Sequence, residues 1–396
     1  MERADVAVVG AGLIGAAVAY DLQAAGVRAV VLEAAGEPAA GVSRSNSGIV
    51  HTGFDSTPGT LETAMIRAQA GRWRAAFDAL GIPYRVSGAL VIATDDAQAG
   101  RLPALAEKAR QNGVTVELLD GVVARAREPH AAAHAALLVP GEAMTDPYEV
   151  VRRLLAAGPP LRLNWRVARV EPEGDGAVVS GPAGRLSARF VVNCAGLHAD
   201  DLAGDDSFRI VPRRGEFVVF AQGAASLVRH ILLPLPTERT KGVLVFPTLY
   251  GYLCAGPSAV DQEAKDDWRP HERELMMVRE QAAALVPEIG ALQPIDAWAG
   301  LRPAGYPRSY VVEWSRRVPA LLQVAAIRST GLSACLGLSR HVLDLLGARG
   351  LERWDSPARW MGAAPPTFDD PPRPWWQRLH DLHDLPGVDA PRGDAG

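Results

Sequence analysis

A valine-rich strand that runs into Gly10-Ala11-Gly12-Leu13-Ile14-Gly15 and reopens as a helix leaves this chain few ways to begin its fold. Asp5–Val9 reads as a buried strand. Leu13–Ala25 is an alanine-rich helix ending at Gly26, and Arg28–Leu32 is a second strand closed by Glu33. Strand, helix and strand in so short a span make a right-handed crossover with parallel strands. Gly10 permits the tight turn. Gly12 lets the backbone approach a pyrophosphate, and Gly15 lets helix and strand pack closely. With Leu13 and Ile14, the helix N-terminus offers free N–H groups and positive dipole to the phosphates. Glu33 follows Gly15 by eighteen positions, at the tip of the second strand. Its carboxylate can accept both ribose hydroxyls. A glycine pattern alone is a weak signal; between a strand and a helix, with an acid at this spacing, it reads as a dinucleotide site.

Two later segments choose FAD over NAD(P). Phe190–Ala195 is a strand running into Gly196, a second backbone approach to the nucleotide at Ala195 and Gly196. Ser329-Thr330-Gly331-Leu332-Ser333 opens a late apolar helix, whose N–H groups could face an electron-rich carbonyl. Reduced flavin carries negative charge near N1 and C2=O, which a helix N-terminus stabilises.

A chain of 396 residues suggests two domains. The expected class is α/β: a Rossmann-like FAD-binding domain interleaved with an antiparallel-sheet (α+β) substrate domain. The expected bounds are 1–83, 145–211 and 300–350 for the first, 84–144 and 212–299 for the second, and a tail over 351–396. Pro58 is expected to open one amphipathic helix to about Leu80, and residues 84–94 to form a strand. Val167–Val170 reads as another strand beside the nucleotide. The last fifty residues are read as an irregular tail packed on the surface.

Net charge is -4, with no basic run, which argues against a nucleic-acid partner. No stretch is long and apolar enough for an integral membrane segment. Cys194, Cys254 and Cys335 are far apart and form no CxxC pair, so no metal site is expected and buried thiols are. The N-terminus enters a strand almost at once, from which no signal peptide and a cytoplasmic location are expected. Trp375 and Trp376, flanked by Arg373 and Arg378, fit either a packed tail, which is the preferred reading, or a peripheral membrane contact.

Residues 5–346 resemble the D-amino-acid-oxidase-like superfamily of FAD enzymes. Within it, Ser45-Asn46-Ser47-Gly48-Ile49-Val50-His51-Thr52-Gly53-Phe54, with Pro58-Gly59-Thr60-Leu61, is similar to the branch of glycerol-3-phosphate oxidases and dehydrogenases and L-2-hydroxyglutarate oxidases. Pro212-Arg213-Arg214-Gly215-Glu216, Val245-Phe246-Pro247-Thr248, Ala255-Gly256-Pro257-Ser258-Ala259 and Ala299-Gly300-Leu301-Arg302-Pro303 add to the match. His198 stands where an aromatic residue is common in the family, and Arg328 just before the flavin-facing turn. The resemblance implies a small anionic substrate and an electron acceptor, oxygen, quinone or another carrier. It implies flavin contacts at Ser45, Asn46, Ser47 and Val167, and leaves the substrate open.

Oxidising a secondary alcohol requires a hydride acceptor, a base for the hydroxyl proton and an anchor for the substrate. His51 is the expected base, because histidine titrates near neutrality and the resemblance puts its loop beside the flavin. Arg302 is the expected anchor, a planar fork for carboxylate or phosphate. Ser47 is a donor to flavin or substrate, or else a hydroxyl-capped turn. Lys241 could point into the site or lie solvated on the surface. Arg328 could add a second anionic contact. Oxidation of an amine or amino acid, which the superfamily also performs, is the alternative activity; a flavin-binding redox module without turnover is another.

Overall fold

The computed structural model describes residues 2–203, 207–236, 242–307, 309–352 and 373–383. Its first layer is an eight-stranded mixed sheet with a parallel core. Strand Glu2–Val9 lies between Ala29–Leu32 and Gly184–Asn193, with Leu161–Arg162 beyond the former and Leu321–Ala325 beyond the latter. Their central residues, 6–9, 29–32, 190–192 and 321–322, are apolar and buried because both faces are covered. The helix Leu13–Ala24 lies on one face, and its Gly15, Ala16, Ala17 and Ala19 are small enough to let the late helix Gly331–Ala348 and the helix Pro147–Ala156 pack tightly on it.

The second layer is a nine-stranded sheet, almost wholly antiparallel. Its longest strands, Arg209–Phe220 and Pro294–Tyr306, pair along nearly their whole length and set Arg213 opposite Arg302 and Gly215 opposite Gly300. The chain is therefore α/β, with an antiparallel-rich sheet beside one whose core is parallel. A three-stranded sheet joins Ile49–Val50, Ala143–Thr145 and Tyr84–Val86.

Four expectations are corrected. The helix expected from Pro58 to Leu80 is two, Leu61–Ala70 and Trp73–Leu80. Thr60, not Pro58, starts the first, its hydroxyl accepting from Thr63 N–H. The break falls at Gly71-Arg72, where the Arg72 guanidinium is drawn to Asp21 at 3.0 Å and to Leu336 O. Residues 84–94 form two strands, Tyr84–Val86 and Ala89–Ala93, turned into different sheets at Gly88, whose φ is +67°. The strand expected from Val167 begins at Arg169. Finally, within the described residues 373–383, the C-terminal segment is not an irregular surface tail. Trp375 and Trp376 are both wholly buried, and Gln377–His383 is helical. Trp376 stacks on Trp298, and Trp298 stacks on Phe217, with centroids 5.4 and 4.5 Å apart.

Candidate active site

A cavity of about 1380 Å3 opens at the carboxyl ends of the parallel strands and runs to the antiparallel sheet. That is where open α/β sheets bind ligands, and it exceeds the roughly 300–1,000 Å3 of ordinary small-molecule pockets.

One end is built by the glycine loop. Gly10 has φ +99°, and a Cβ there would stand 2.6 Å from Cys194 O. A Cβ on Gly15 would collide with Gly10 O at 1.9 Å. Each position therefore excludes a side chain for the reason read from the sequence. Gly12 caps the helix without a side-chain hydrogen bond, and no acid occupies the first turn. Gly12, Leu13 and Ile14 line the cavity, so the positive helix end faces it, with the Leu13 N–H held by Ser43 Oγ at 2.8 Å. Glu33 Oε2 accepts from Ala11 N–H at 2.7 Å and Oε1 from Ala35 N–H at 2.9 Å. Both oxygens are thereby fixed, and each retains a lone pair for a hydroxyl. Trp165, Val167, Ala195 and Gly196 line the same end. This donor set and cradle fit the pyrophosphate and ribose of FAD.

The other end holds His51. Ser45, Asn46 and Ser47 line it from a loop whose carbonyls are clamped: Trp298 Nε1 donates to Ser45 O at 3.2 Å and Trp375 Nε1 to Asn46 O at 2.9 Å. His51 follows the strand Ile49–Val50. That strand pairs antiparallel with Ala143–Thr145 in a register that sets Val50 opposite Ala143. One step further, the register sets His51 beside Glu142. The imidazole Nδ1 lies 2.7 Å from Glu142 Oε2, and Glu142 is wholly buried. Thr52 donates to Glu142 Oε1 through both N–H and hydroxyl, at 2.7 and 2.8 Å. A carboxylate only accepts, so Nδ1 carries the proton and Nε2 is left as the basic nitrogen.

Gly331 lines the cavity, but Leu332 and Ser333 are buried beneath it. Ser333 Oγ accepts from His51 N–H at 2.8 Å, so its side chain holds the histidine's backbone rather than a cofactor. Arg302 lines the cavity from mid-strand. Its Nε donates to Arg213 O, and Nη2 donates to Arg214 O and Ser258 O at 3.0 and 2.6 Å. Half of its fork is thus committed to backbone. Burial, and then the neighbouring Arg213, pull its pKa down to about 10, which still leaves a cation at neutral pH. Arg328 is paired with Glu62 at 3.2 Å, which neutralises the extra charge expected of it. His198 pairs with Asp201. Lys241 lies outside the described residues. Cys194, Cys254 and Cys335 are buried and free, and burial raises each thiol.

Sequence reasoning missed Glu142, the two indole clamps and Ser333's role. Nothing local marks Glu142; only the strand register brings it to His51.

The glycine-loop cradle and the His51–Glu142 pair lie on one cavity. The chain belongs to the family of FAD dependent oxidoreductases called DAO, whose profile matches residues 5–345. It is 28% identical over 352 residues to the glycerol 3-phosphate dehydrogenase of Caloramator mitchellensis, covering 86% of this chain and 73% of that one. It is 28% identical over 281 residues to the L-2-hydroxyglutarate dehydrogenase of Escherichia coli K12, covering 68% and 67%. The FAD-bound L-alpha-glycerophosphate oxidase of Mycoplasma pneumoniae superposes with a TM-score of 0.81 at 26% identity, covering 88% of this chain and 95% of that one. Among the described residues no helix is long and apolar enough to cross a membrane.

Proposed function

We propose that this flavoenzyme oxidises a small anionic secondary alcohol, an L-2-hydroxy acid or glycerol 3-phosphate, with His51 as the base. The observation that carries this reading is the His51–Glu142 pair at 2.7 Å, on the wall of the cavity. Glu142 holds the imidazole in the tautomer whose Nε2 can take the hydroxyl proton, and it stabilises the imidazolium that forms. Ser333 and the Ile49–Val50 pairing fix the backbone beneath. Arg302 orients the anion through the half of its guanidinium not bound to carbonyls. Ser47 is a further donor on the same wall. Bound FAD supplies the hydride acceptor. Gly10, Gly12, Glu33, Ala195 and Gly196 hold its nucleotide half, and Ser45, Asn46, Ser47 and Gly331 line the flavin end. The same proposal keeps the nucleotide domain at 1–83, 145–211 and 300–350, and the substrate domain between.

The sequence relatives named as acting on glycerol 3-phosphate and L-2-hydroxyglutarate support the substrate class. An anaerobic panel of hydroxy acids, glycerol 3-phosphate and amino acids, read by flavin bleaching, tests it. Bleaching by a hydroxy acid or glycerol 3-phosphate that His51→Ala slows by about a hundred- to ten-thousandfold is the expected result. Bleaching only by amino acids, indifferent to His51, would replace this reading with amine oxidation.

A further inference from the structure

A second, smaller pocket of about 390 Å3 lies where the Ser87-Gly88 turn meets the segment before the strand Ile231–Pro234 and the end of the strand Leu244–Pro247. It shares no lining residue with the larger cavity. None of its ten lining residues is Asp or Glu, and three of them are Arg85, Arg229 and His230.

Strand pairing brings these three together. Ile231 pairs in parallel with Ala89, and its N–H donates to Gly88 O at 3.1 Å. Arg229 and His230 therefore run beside Ser87 and Gly88 at about the 4.8 Å spacing of neighbouring strands. A Cβ on Gly88 would stand 3.3 Å from His230 Cδ2. On the other side, Leu232 pairs antiparallel with Val245, and two steps back that register sets His230 opposite Pro247. Arg85 Nη2 donates to Pro247 O at 3.2 Å. Its guanidinium thus reaches the residue facing His230, and the two arginines flank the imidazole.

The one carboxylate at hand is already spent. Glu128 is wholly buried, and its Oε1 accepts from Arg229 N–H, His230 N–H and His230 Nδ1 at 2.9, 2.7 and 2.6 Å. It fixes the imidazole with Nδ1 as donor, and Nε2 has no partner among the described residues. Neither guanidinium joins an ion pair among the described residues, and that of Arg229 makes no hydrogen bond there either. Ser87 Oγ, on the pocket's floor, is buried without a hydrogen-bond partner among them. A buried hydroxyl so placed calls for a missing partner. Two guanidinium forks, a free imidazole nitrogen and a rotatable hydroxyl around one small pocket suit a group with several acceptor oxygens and a double negative charge.

We infer that this pocket is a binding site for a phosphate group, free or carried by a small ester, held by Arg85 and Arg229 and contacted by His230 Nε2. The site does not depend on the reaction proposed above. It lies behind the base, since Gly88 N–H donates to Glu142 O at 2.9 Å, and the turn that floors the pocket also holds the residue paired with His51.

The test titrates the FAD-loaded protein with inorganic phosphate and with phenyl phosphate. Histidine-selective labelling reports the His230 ring by magnetic resonance, its signal assigned by its loss in His230→Gln. Phosphate moves that signal saturably, and calorimetry on the same samples gives a dissociation constant. Arg85→Gln and Arg229→Gln each weaken it about ten- to a hundredfold, the worth of a charge-assisted hydrogen bond. Arg229→Lys keeps the charge without the fork and recovers part of the loss. The Arg229 side chain holds nothing else among the described residues, so its loss leaves the fold intact. Tighter phenyl phosphate names an esterified ligand as the source; tighter inorganic phosphate names the free anion. A His230 signal that neither probe moves overturns the inference, as does equal affinity in wild type and Arg229→Gln. Phosphate that moves the His51 signal alone overturns it too, because binding then belongs to the larger cavity.

Discussion

His51 and Glu142 are neighbours across a two-strand register, with the imidazole Nδ1 2.7 Å from a carboxylate that has no exposed surface. The same carboxylate gathers Thr52 N–H and hydroxyl on its other oxygen. It is therefore oriented before any substrate arrives. In the proposed reaction its work on the histidine is to choose which nitrogen is basic.

Glu142→Gln tests that work. The amide NH2 would donate where the carboxylate accepted, which reverses the imidazole tautomer and leaves Nε2 protonated. Anaerobic flavin reduction should slow by roughly a hundred- to ten-thousandfold, the range for losing a general base. FAD content and substrate affinity should change far less, since the nucleotide cradle and Arg302 are untouched. A reduction rate within threefold of wild type, on the scale of a weak hydrogen bond, would remove Glu142 from the mechanism.

Gly12→Val addresses the cofactor directly. Even a single Cβ at Gly12 would sit 2.8 Å from Ser43 Oγ, the group that accepts Leu13 N–H at 2.8 Å. A branched side chain must displace Ser43 or fill the space before the helix N-terminus, where the pyrophosphate belongs. The variant should purify colourless, with a flavin-to-protein absorbance ratio near zero and a circular dichroism spectrum like wild type. A yellow variant releasing FAD on denaturation would show that the cradle lies elsewhere.

The nucleotide half of this site was legible because its signals are local. Gly10, Gly12, Gly15 and Glu33 lie within one strand–helix–strand unit, and backbone geometry dictates each. His51 and Arg302 stood in segments whose composition already resembled a family. Glu142 had no such signal, because its partner is chosen by pairing across about ninety residues. A period-two pattern gives faces, not partners. The same limit hid the C-terminal clamp. Composition favoured a packed tail over a membrane contact for Trp375 and Trp376 but gave it no place; the stack on Trp298 and the bond to Asn46 O put them inside. The break at Gly71-Arg72 likewise depends on Asp21, a residue from another helix.

Arg302→Lys separates charge from shape. Lysine keeps a cation but cannot hold the carbonyls of Arg213, Arg214 and Ser258 while also facing substrate. Orphaned buried carbonyls cost about 1–3 kcal/mol each, so thermal stability should fall together with activity. For an anionic alcohol, kcat/KM should drop about ten- to a hundredfold, carried mainly by KM. FAD retention should persist. Wild-type kcat/KM in a folded Arg302→Lys enzyme would assign anchoring to another cation.

The C-terminal clamp should be sensitive to pH in a defined direction. His380 Nε2 lies 2.9 Å from Asp296 Oδ1, which ties the Gln377–His383 helix to the strand Pro294–Tyr306. That hydrogen bond raises the imidazole pKa above its ordinary value, against the opposing effect of burial; the charges of Asp296 and Asp381 add to the rise. The folded state thus holds the proton more tightly than the unfolded chain. Its contribution to stability is full below the unfolded histidine value of about 6.5 and is lost as pH rises through the higher folded value. The melting temperature of wild type should therefore exceed that of His380→Gln at mildly acidic pH, and the gap should close as pH is raised. Because this helix starts two residues after Trp375, whose indole holds Asn46 O, weakening the tie should also loosen the loop at residues 45–47. Hydrogen exchange at residues 44–48 should quicken in His380→Gln at mildly acidic pH and match wild type at alkaline pH. A gap in melting temperature that widens with pH would mean that the neutral imidazole is the form the fold prefers, and that Asp296 is not its governing partner.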